Sequence, residues 1–358
     1  MSKKIGILTY HRGPNYGGFL QAWHLREAIR SLGFDADVVN YQNAKQAATE
    51  RNTLKGLHPR QIWTYLTGIM KSRPFREPVA ELSQQAHTTD VSRVDWDRYD
   101  RIVVGSDVIW DFTQQEAGSD PAFYAATPSQ EGPGFLAYAA SCGATPASVE
   151  TVPGFVEQGL RKFSAIAARD SNTASLVERL TGTLPEIVCD PTWLGDDPKA
   201  GRSQVEKLPE NYIVIYGIST HDPRARIARA FCDREKLPLI SAGTPCRLAH
   251  RVLRSLDPFQ WAEVIGRSKG VITCTLHGSH YAIKYGRPMA FVESPSSLLK
   301  AREAIERAGR TPHSITQDET FDEDYLRRCL LTEPITSGVP DDWKADSLSW
   351  LKAQLEKC

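Results

Sequence analysis

The 358-residue sequence has no excess of charge, because its 43 lysine and arginine residues equal its 43 aspartate and glutamate residues. A neutral chain has no overall field to draw it to nucleic acid or to an anionic membrane. We therefore expect no nucleic-acid partner, and any anionic ligand must be held by local groups. The sequence also lacks apolar runs near the roughly 20 residues that span a bilayer. We therefore expect no transmembrane segment. The first apolar stretch, Ile5 to Leu8, is also too short for the core of a signal peptide.

Cysteine is sparse and lacks a pairing pattern. The chain has 7 cysteines, an odd number, and no two of them form C-x-x-C. This usage is typical of small buried residues in a reducing compartment and argues against a disulfide framework or a zinc site. No D-x-D motif or histidine-rich pair indicates another metal. We expect a cytoplasmic protein without a metal or a bound cofactor.

Short apolar segments alternate with helical ones along most of the chain. "KIGILTY", "FLQAWHLREAIRSLG" and "FDADVVNY" form a strand, a helix and a second strand, and such a crossover connects parallel strands. The same alternation resumes after residue 210. It predicts an α/β protein with two Rossmann-like domains whose parallel sheets face a central cleft. The other predicted strands are "RIVVGSD", "GFLAYAASCG", "FSAIAARD", "LPEIVCDPT", "YIVIYGI", "PLISAG", "KGVITCT" and "RPMAFVE".

Changes in composition suggest the domain boundaries. Residues 1–195 form the predicted N-terminal domain, with a polar helical insertion near 44–95 that includes the amphipathic stretch "HPRQIWTYLTGIMK". A linker rich in Gly, Asp, Pro and Lys separates it from a C-terminal domain at 210–340. Residues 341–358 form a predicted helix that packs back on the body. Between the later strands, helices are predicted at 172–182, 223–235, 258–267, 278–286 and 297–309.

Ligands of open parallel sheets bind outside the carboxyl ends of the strands, so residues at those positions are the candidates. "HRGPNYGG" follows the first strand, and the backbone N–H groups of Asn15, Tyr16, Gly17 and Gly18 could bind an anion at a helix N-terminus. The spacing is neither G-x-G-x-x-G nor G-x-x-x-x-G-K-[ST]. The alternative is a tight turn that needs glycine.

Two further strand ends carry polar residues in the first half. Ser106 and Asp107 follow "RIVVG", where they either bind a ligand or cap a following helix. Arg169 ends "FSAIAA", and its planar guanidinium suits a carboxylate or a phosphate. The alternative for Arg169 is an ion pair with Asp170 or Asp190.

His277 occupies the comparable position in the second half. It lies where the buried segment "GVITCT" gives way to a helix, and a helix N-terminus favours the neutral imidazole, which can act as a base. Gly278 would allow close approach of a ligand, Ser279 adds a hydroxyl, and Lys300 could supply a point charge for phosphate. The alternatives are a structural histidine and a solvated lysine.

Taken in order, these segments resemble the polysaccharide pyruvyl transferase family. The matching stretches run from residue 5 to about 292 and contain the motifs N-Y-G-x-x-L-Q, G-S-D-x-x-W, "YAASCG", "AARDSNTASL", D-P-T and a late L-H-G. The resemblance implies a two-domain fold like that of GT-B glycosyltransferases, with the catalytic histidine at His277 and the catalytic arginine at Arg169. The chain departs from the family pattern at Thr275 and Leu276, before the histidine, and at Asp170, where glutamate is usual.

The resemblance also implies the reaction, which is transfer of a pyruvyl group from phosphoenolpyruvate to hydroxyls of a sugar, with a ketal as product and phosphate released. Phosphoenolpyruvate would be the donor substrate, and the acceptor would be a sugar, either free or linked to a nucleotide or a lipid. Two other readings stay open at this point. One is a GT-B-type glycosyltransferase that uses a nucleotide sugar, and the other is a non-catalytic protein that binds a glycan or a small anion.

Overall fold

The structure is a computed structural model that describes residues 3–53, 72–114, 119–126, 133–199, 204–292, 295–310, 321–332 and 338–357. The chain divides into two compact units. Unit 1 contains residues 1–65, 76–195 and 341–358, and unit 2 contains residues 66–75 and 196–340. The helix predicted for "HPRQIWTYLTGIMK" lies outside the described residues.

Unit 1 is built on a six-stranded parallel sheet with the order β2-β1-β3-β4-β5-β6. Its central strands carry apolar side chains on both faces and are almost entirely buried, as expected for a parallel sheet covered on both sides. All six strands fall within segments that the sequence predicted. They are β1 (Lys4–Leu8), β2 (Asp35–Val38), β3 (Arg101–Val104), β4 (Gly134–Ala140), β5 (Ala165–Ala168) and β6 (Glu186–Ile187).

The described residues of unit 1 include five α-helices before the change to unit 2. They are α1 (Tyr16–Ser31), α2 (Ala44–Thr53), α3 (Arg76–Leu82), α4 (Gly154–Leu160) and α5 (Ser171–Thr181). Helix α5 begins at the N-cap Asp170 and ends at Gly182, which has a left-handed φ of 81°. Within the predicted insertion, α2 and α3 lie on either side of the segment that is not described.

Unit 2 is built on a five-stranded parallel sheet with the order β11-β10-β7-β8-β9. Four of its strands were predicted, and β9 was missed because its three residues give no apolar run. The strands are β7 (Ile213–Tyr216), β8 (Leu239–Ala242), β9 (Arg251–Leu253), β10 (Gly270–Thr273) and β11 (Met289–Phe291). Two separate parallel sheets confirm the predicted α/β class with two Rossmann-like halves.

Two helices of unit 2 begin at the predicted residues, each directly after an aspartate cap. Asp222 and Asp257 each accept a backbone N–H bond in the first turn, followed by proline at the first helical position. The helices are α6 (Pro223–Glu235), α7 (Pro258–Gly266), α8 (Leu276–Lys284), α9 (Pro295–Arg307) and α10 (Glu323–Arg327). Helix α8 begins two residues before the predicted start, because the hydroxyl of Thr275 accepts the N–H of Gly278 at 3.0 Å.

The last helix, α11 (Asp341–Glu356), belongs to unit 1. Its Ser347 hydroxyl accepts the backbone N–H of Cys189 at 3.0 Å, and the indole of Trp343 packs edge-on against Trp193 at 5.6 Å. Leu351 and Leu355 are fully buried on the same side. The apolar stripe of this helix therefore finds its cover on unit 1.

The six described cysteines are all free thiols, as the sequence predicted. Five of them are buried and Cys274 is half-buried. No helix in the described ranges is both long and apolar enough to cross a bilayer.

Candidate functional sites at the carboxyl ends of the two sheets

Each sheet contains one point where the strand order reverses. In unit 1 the chain runs from β1 outward to β2 and then returns to β3 on the other side. In unit 2 the equivalent reversal lies between β7 and β10. The loops that follow such strand pairs diverge and leave a crevice at the carboxyl ends. Ser106 and Asp107 lie at the first crevice and His277 at the second, whereas Arg169 follows β5, two strands away from β3.

The first crevice is organised by Gln21, a residue that the sequence reasoning did not select. Its side-chain amide donates to the backbone carbonyls of Tyr10 at 2.7 Å and Gly18 at 2.8 Å. Its carbonyl oxygen accepts both the N–H of Ser106 at 3.1 Å and the Ser106 hydroxyl at 2.7 Å. Gln21 thus joins the loops after β1 and β3. The signal was present, since this glutamine is the last residue of N-Y-G-x-x-L-Q.

The glycine-rich stretch is the first turn of α1 rather than a free loop. Asn15 is the N-cap, and its side-chain oxygen accepts the N–H of Gly18 at 3.2 Å. Tyr16, Gly17 and Gly18 are buried helical residues. A Cβ on Gly18 would lie 3.2 Å from the Asn15 side chain and 3.5 Å from a carboxylate oxygen of Asp107. The glycine therefore makes room for protein groups, and a carboxylate already lies beside this helix N-terminus.

His11 lies in the same crevice, immediately after β1 and Tyr10. It is 2% exposed, with Nδ1 3.1 Å from the carbonyl oxygen of Thr9 and Nε2 3.3 Å from the side-chain oxygen of Asn40. Burial lowers the pKa of His11 to about 4, although both hydrogen bonds act in the opposite direction. The ring is therefore neutral near pH 7.

Arg169 forms the ion pair that the sequence left as an alternative. Its Nη1 lies 3.3 Å from a carboxylate oxygen of Asp190, and the two side chains are 4% and 1% exposed. The other Asp190 oxygen accepts the N–H and the hydroxyl of Thr192. The D-P-T motif therefore fixes Asp190 beside Arg169. Within the described part of the chain, Nε and Nη2 of Arg169 have no hydrogen-bond partner. The guanidinium keeps donors for an anionic group.

Asp170 is a helix cap rather than a partner of Arg169. One of its oxygens accepts the N–H and the hydroxyl of Thr173, at 2.8 Å and 2.6 Å, and the other accepts the Ser141 hydroxyl at 2.7 Å. Glutamate is usual here in the family that the sequence resembles. The shorter aspartate suits this position because its side chain accepts the N–H of Thr173, three residues further along the chain.

The second crevice contains His277 in the first turn of α8. The residue is 9% exposed, and its ring centroid lies 5.8 Å from that of His280 at an angle of 75°. Across the reversal point, Gly217 follows β7 with a left-handed φ of 83°. A Cβ at Gly217 would lie 2.4 Å from the Thr275 side chain, so only glycine lets the two loops approach.

Gly278 and Ser279, the predicted neighbours of His277, both make contacts that hold the start of α8 in place. A Cβ on Gly278 would lie 2.2 Å from the Thr273 hydroxyl and 2.7 Å from the Thr275 hydroxyl. The glycine is therefore required for the helix to pack on β10. The sequence had suggested a different role for Gly278, which was to leave space for a ligand. The Ser279 hydroxyl donates to the carbonyl of Leu276 at 2.6 Å. Lys300 belongs to α9, and its side chain lies outside the described residues.

The structure thus gathers Asn15, Gln21, Ser106 and Asp107 at one strand end of unit 1, and His277, Gly278 and Ser279 at one strand end of unit 2. Arg169 belongs to unit 1 and His277 to unit 2. That the two units face each other across a cleft stays a prediction. The described residues include no group of three or more His, Cys, Asp or Glu side chains arranged to hold a metal ion.

Comparison with protein families gives one match that covers most of the chain. The family model described as polysaccharide pyruvyl transferase matches residues 15–296. Among curated proteins, lysophospholipase nte1 of Neosartorya fischeri is 26% identical over 129 residues. That match spans 35% of this chain and only 8% of the lysophospholipase.

Solved structures share the architecture at low identity. A UDP-GlcNAc 2-epimerase from Methanocaldococcus jannaschii has a TM-score of 0.55 and 8% identity, with 99% of this chain and 100% of that chain covered. The UDP-GlcNAc 2-epimerase from Neisseria meningitidis has a TM-score of 0.53 and 10% identity, with both chains fully covered. Such likenesses concern the fold alone, which this chain shares with these epimerases.

Proposed function

Because the chain belongs to the polysaccharide pyruvyl transferase family, we propose that it transfers the pyruvyl group of phosphoenolpyruvate to two hydroxyls of a sugar or glycan precursor. The product is a pyruvate ketal, and phosphate is released. The observation that carries the proposal is the buried Arg169, which follows β5, is fixed by Asp190 and retains two nitrogens, Nε and Nη2, for an anion.

In this proposal Arg169 binds one anionic group of phosphoenolpyruvate. The chain has no net charge, so the carboxylate and the phosphate of this donor must be held by individual cations and oriented N–H groups. A guanidinium that is only 4% exposed acts in a medium of low polarity, where its attraction for an anion is strong. Lys300 is the candidate for the second anionic group, because the Asp107 carboxylate already lies beside the α1 N-terminus.

His277 is the proposed acid and base. Ketal formation adds a proton to C3 of phosphoenolpyruvate while a first sugar hydroxyl attacks C2. The C2–O bond to phosphate then breaks, and a second sugar hydroxyl closes the ring on C2. The two hydroxyls lose two protons, of which one balances the proton gained at C3 and the other leaves with phosphate. A neutral imidazole can accept and return these protons.

Asp107 is the proposed contact for the acceptor hydroxyls. It lies at the crevice of unit 1, where Gln21 holds the neighbouring Ser106. The Asp107 residue as a whole is 9% exposed. A carboxylate accepts hydrogen bonds from vicinal hydroxyls of sugars. Gly278 and Ser279 contribute by holding His277 in place at the start of α8.

The test is to incubate the protein with phosphoenolpyruvate and a panel of nucleotide-linked and lipid-linked sugars. Phosphate release and the mass of the product are followed together. We expect one acceptor to support both. Arg169→Ala and His277→Ala should each lower turnover by roughly 100-fold or more while the fold is retained.

Matched controls are Arg161→Ala, which removes an exposed arginine of unit 1, and His250→Gln, which changes an exposed histidine of unit 2. Both should leave turnover near the wild-type rate. Release of a nucleoside diphosphate from a nucleotide sugar, with no phosphate from phosphoenolpyruvate, would instead indicate a glycosyltransferase. Saturable binding without any product would indicate a binding protein.

A further inference from the structure

A buried charge cluster ties the C-terminal end of α8 to the first residues of unit 2. Asp197 lies two residues after the unit boundary at Gly195, and its side chain is 4% exposed. One of its oxygens accepts the Tyr281 hydroxyl at 2.9 Å, and the other accepts the Tyr285 hydroxyl at 2.7 Å. Lys284 Nζ lies 2.7 Å from that second oxygen and is 9% exposed. All four residues belong to unit 2.

The contacts are directional and shielded from water. Lys284 Nζ also lies 5.2 Å from the centre of the Tyr281 ring, which packs edge-on against Trp261 at 5.0 Å. Tyr281 itself is fully buried. Charge-assisted hydrogen bonds of this kind hold their geometry more tightly than neutral ones. Asp197 therefore specifies both the rotation and the axial position of the last turn of α8.

The opposite end of the same helix carries His277. Helix α8 has nine residues, so its two ends are about 13 Å apart on the 1.5 Å rise per residue. So short a helix moves as one piece. At its start, the Thr275 cap and the contact of Gly278 with Thr273 fix the helix against β10. At its end, a carboxylate would normally be repelled by the helix C-terminus, and Lys284 offsets that repulsion.

We infer that Asp197 is a positioning residue for His277, acting through Tyr281, Tyr285 and Lys284 along α8. The inference rests on the proposed function in so far as His277 transfers protons. Composition alone presents the start of unit 2 as a linker. The inference gives this segment a part in setting the catalytic geometry. A helix displaced by about 1 Å can lower a rate by as much as 100-fold while substrate affinity changes little.

The first measurement is independent of activity. The protein is labelled with 13C-histidine, and the His277 imidazole resonance is assigned through His277→Gln. Asp197→Asn keeps the shape of the side chain but removes the charge that faces Lys284, and we expect it to shift this resonance. Tyr281→Phe and Tyr285→Phe each remove one hydroxyl and should give smaller shifts in the same direction. Asp322→Ala, which removes the cap of α10, should leave it unchanged.

The second measurement separates positioning from stability. With phosphoenolpyruvate and the acceptor found for the wild type, Asp197→Asn should lower kcat about 10-fold and change KM for phosphoenolpyruvate less than about 2-fold. Adding Lys284→Met removes the opposing charge and should recover thermal stability without recovering kcat. The inference is overturned if kcat recovers with stability, or if Asp197→Asn leaves both kcat and the His277 resonance unchanged.

The outcomes also separate this inference from the proposed function. If the wild type releases no phosphate from phosphoenolpyruvate while Asp197→Asn still shifts the His277 resonance, the proposed reaction is wrong and the positioning role stands. If the wild type is active and the resonance does not respond to any of the three variants, the positioning role is wrong and the reaction stands.

Discussion

Arg169 and Asp190 show how a buried cation is kept at a strand end. Desolvation of an isolated guanidinium costs several kcal/mol, and a carboxylate fixed by its own hydrogen bonds offsets that cost. Asp190 is such a carboxylate, since Thr192 donates two hydrogen bonds to it. Among the described residues, Nε and Nη2 of Arg169 have no hydrogen-bond partner, so these nitrogens stay available to a ligand.

We predict that Asp190→Asn lowers the free energy of unfolding of unit 1 by about 3 to 5 kcal/mol, because Arg169 stays buried without its counter-charge. Urea unfolding at pH 7 measures the loss. The control is Glu157→Gln, which breaks the exposed pair with Arg161 on α4 and should cost less than about 1 kcal/mol. Equal losses in the two variants would show that the Arg169–Asp190 pair stabilises the fold no more than an exposed ion pair does.

Residue identity at the sites was only partly predictable from the sequence. His277 and Arg169 follow strands, and the strand-end rule selects them without knowledge of their partners. Gln21 could have been selected, because it ends the motif N-Y-G-x-x-L-Q, although its bond to Ser106 spans 85 positions. Asp197 could not be selected, because its partners on α8 lie 84 or more positions further along the chain. Periodicity carries information about neighbours along the chain and none about such distant contacts.

At the scale of elements, the loop after β3 depends on close contact between two strands. Gly105 has a left-handed φ of 124°, and a Cβ there would lie 2.2 Å from the carbonyl oxygen of Tyr138 on β4. Real Cβ atoms are not found at such distances from backbone, which cannot move aside as a flexible side chain would. The position therefore admits glycine alone, and it sets where Ser106 and Asp107 leave the sheet.

Gly105→Ala should lower the midpoint of thermal unfolding by several degrees, since the clash and the unfavourable φ together cost about 2 kcal/mol or more. The comparison is Gly154→Ala at the start of α4, where the nearest atom to an added Cβ is a flexible glutamine nitrogen at 4.0 Å. That variant should be neutral or slightly stabilising. A Gly105→Ala protein as stable as Gly154→Ala would show that β4 can yield at Tyr138.

Element positions were well predicted where apolar runs were long or a proline marks the first helical residue, and less well at β9 and at the start of α8. The strands β3, β7 and β10 coincide with buried runs of Val and Ile, and α6 begins and ends at the predicted residues. The edge strand β9 has too few residues to show a pattern. The start of α8 depends on the Thr275 hydroxyl, a contact that hydrophobic spacing does not register.

At the scale of the molecule, the same strand-end rule applies once in each unit. Both sheets are parallel and both reverse their order once, which gives each unit a single crevice. The two α/β halves could be predicted from the alternation of elements. The alternation could not indicate that the helix at 341–356 belongs to unit 1. It also could not indicate that Asp197 is anchored within unit 2.

His11 contributes to the pH dependence of stability in unit 1. Its folded pKa of about 4 lies below the usual 6.5, so between these values the unfolded chain binds more protons than the folded chain. Stability from this residue is therefore complete above pH 6.5 and is lost as the pH falls towards 4. A difference of this size corresponds to about 3 kcal/mol.

We predict that lowering the pH from 7 to 4 destabilises the wild type by about 3 kcal/mol more than it destabilises His11→Gln, which cannot take up the proton. Hydrogen exchange at increasing urea, read separately for peptides of α1 and α7, measures the stability of the two units. His221→Gln changes an exposed histidine of unit 2 and should keep the wild-type dependence on pH. If peptides of α1 lose stability with acid equally in the wild type and in His11→Gln, the buried imidazole is not the group that titrates. A loss confined to α7 would place the sensitive group in unit 2 instead.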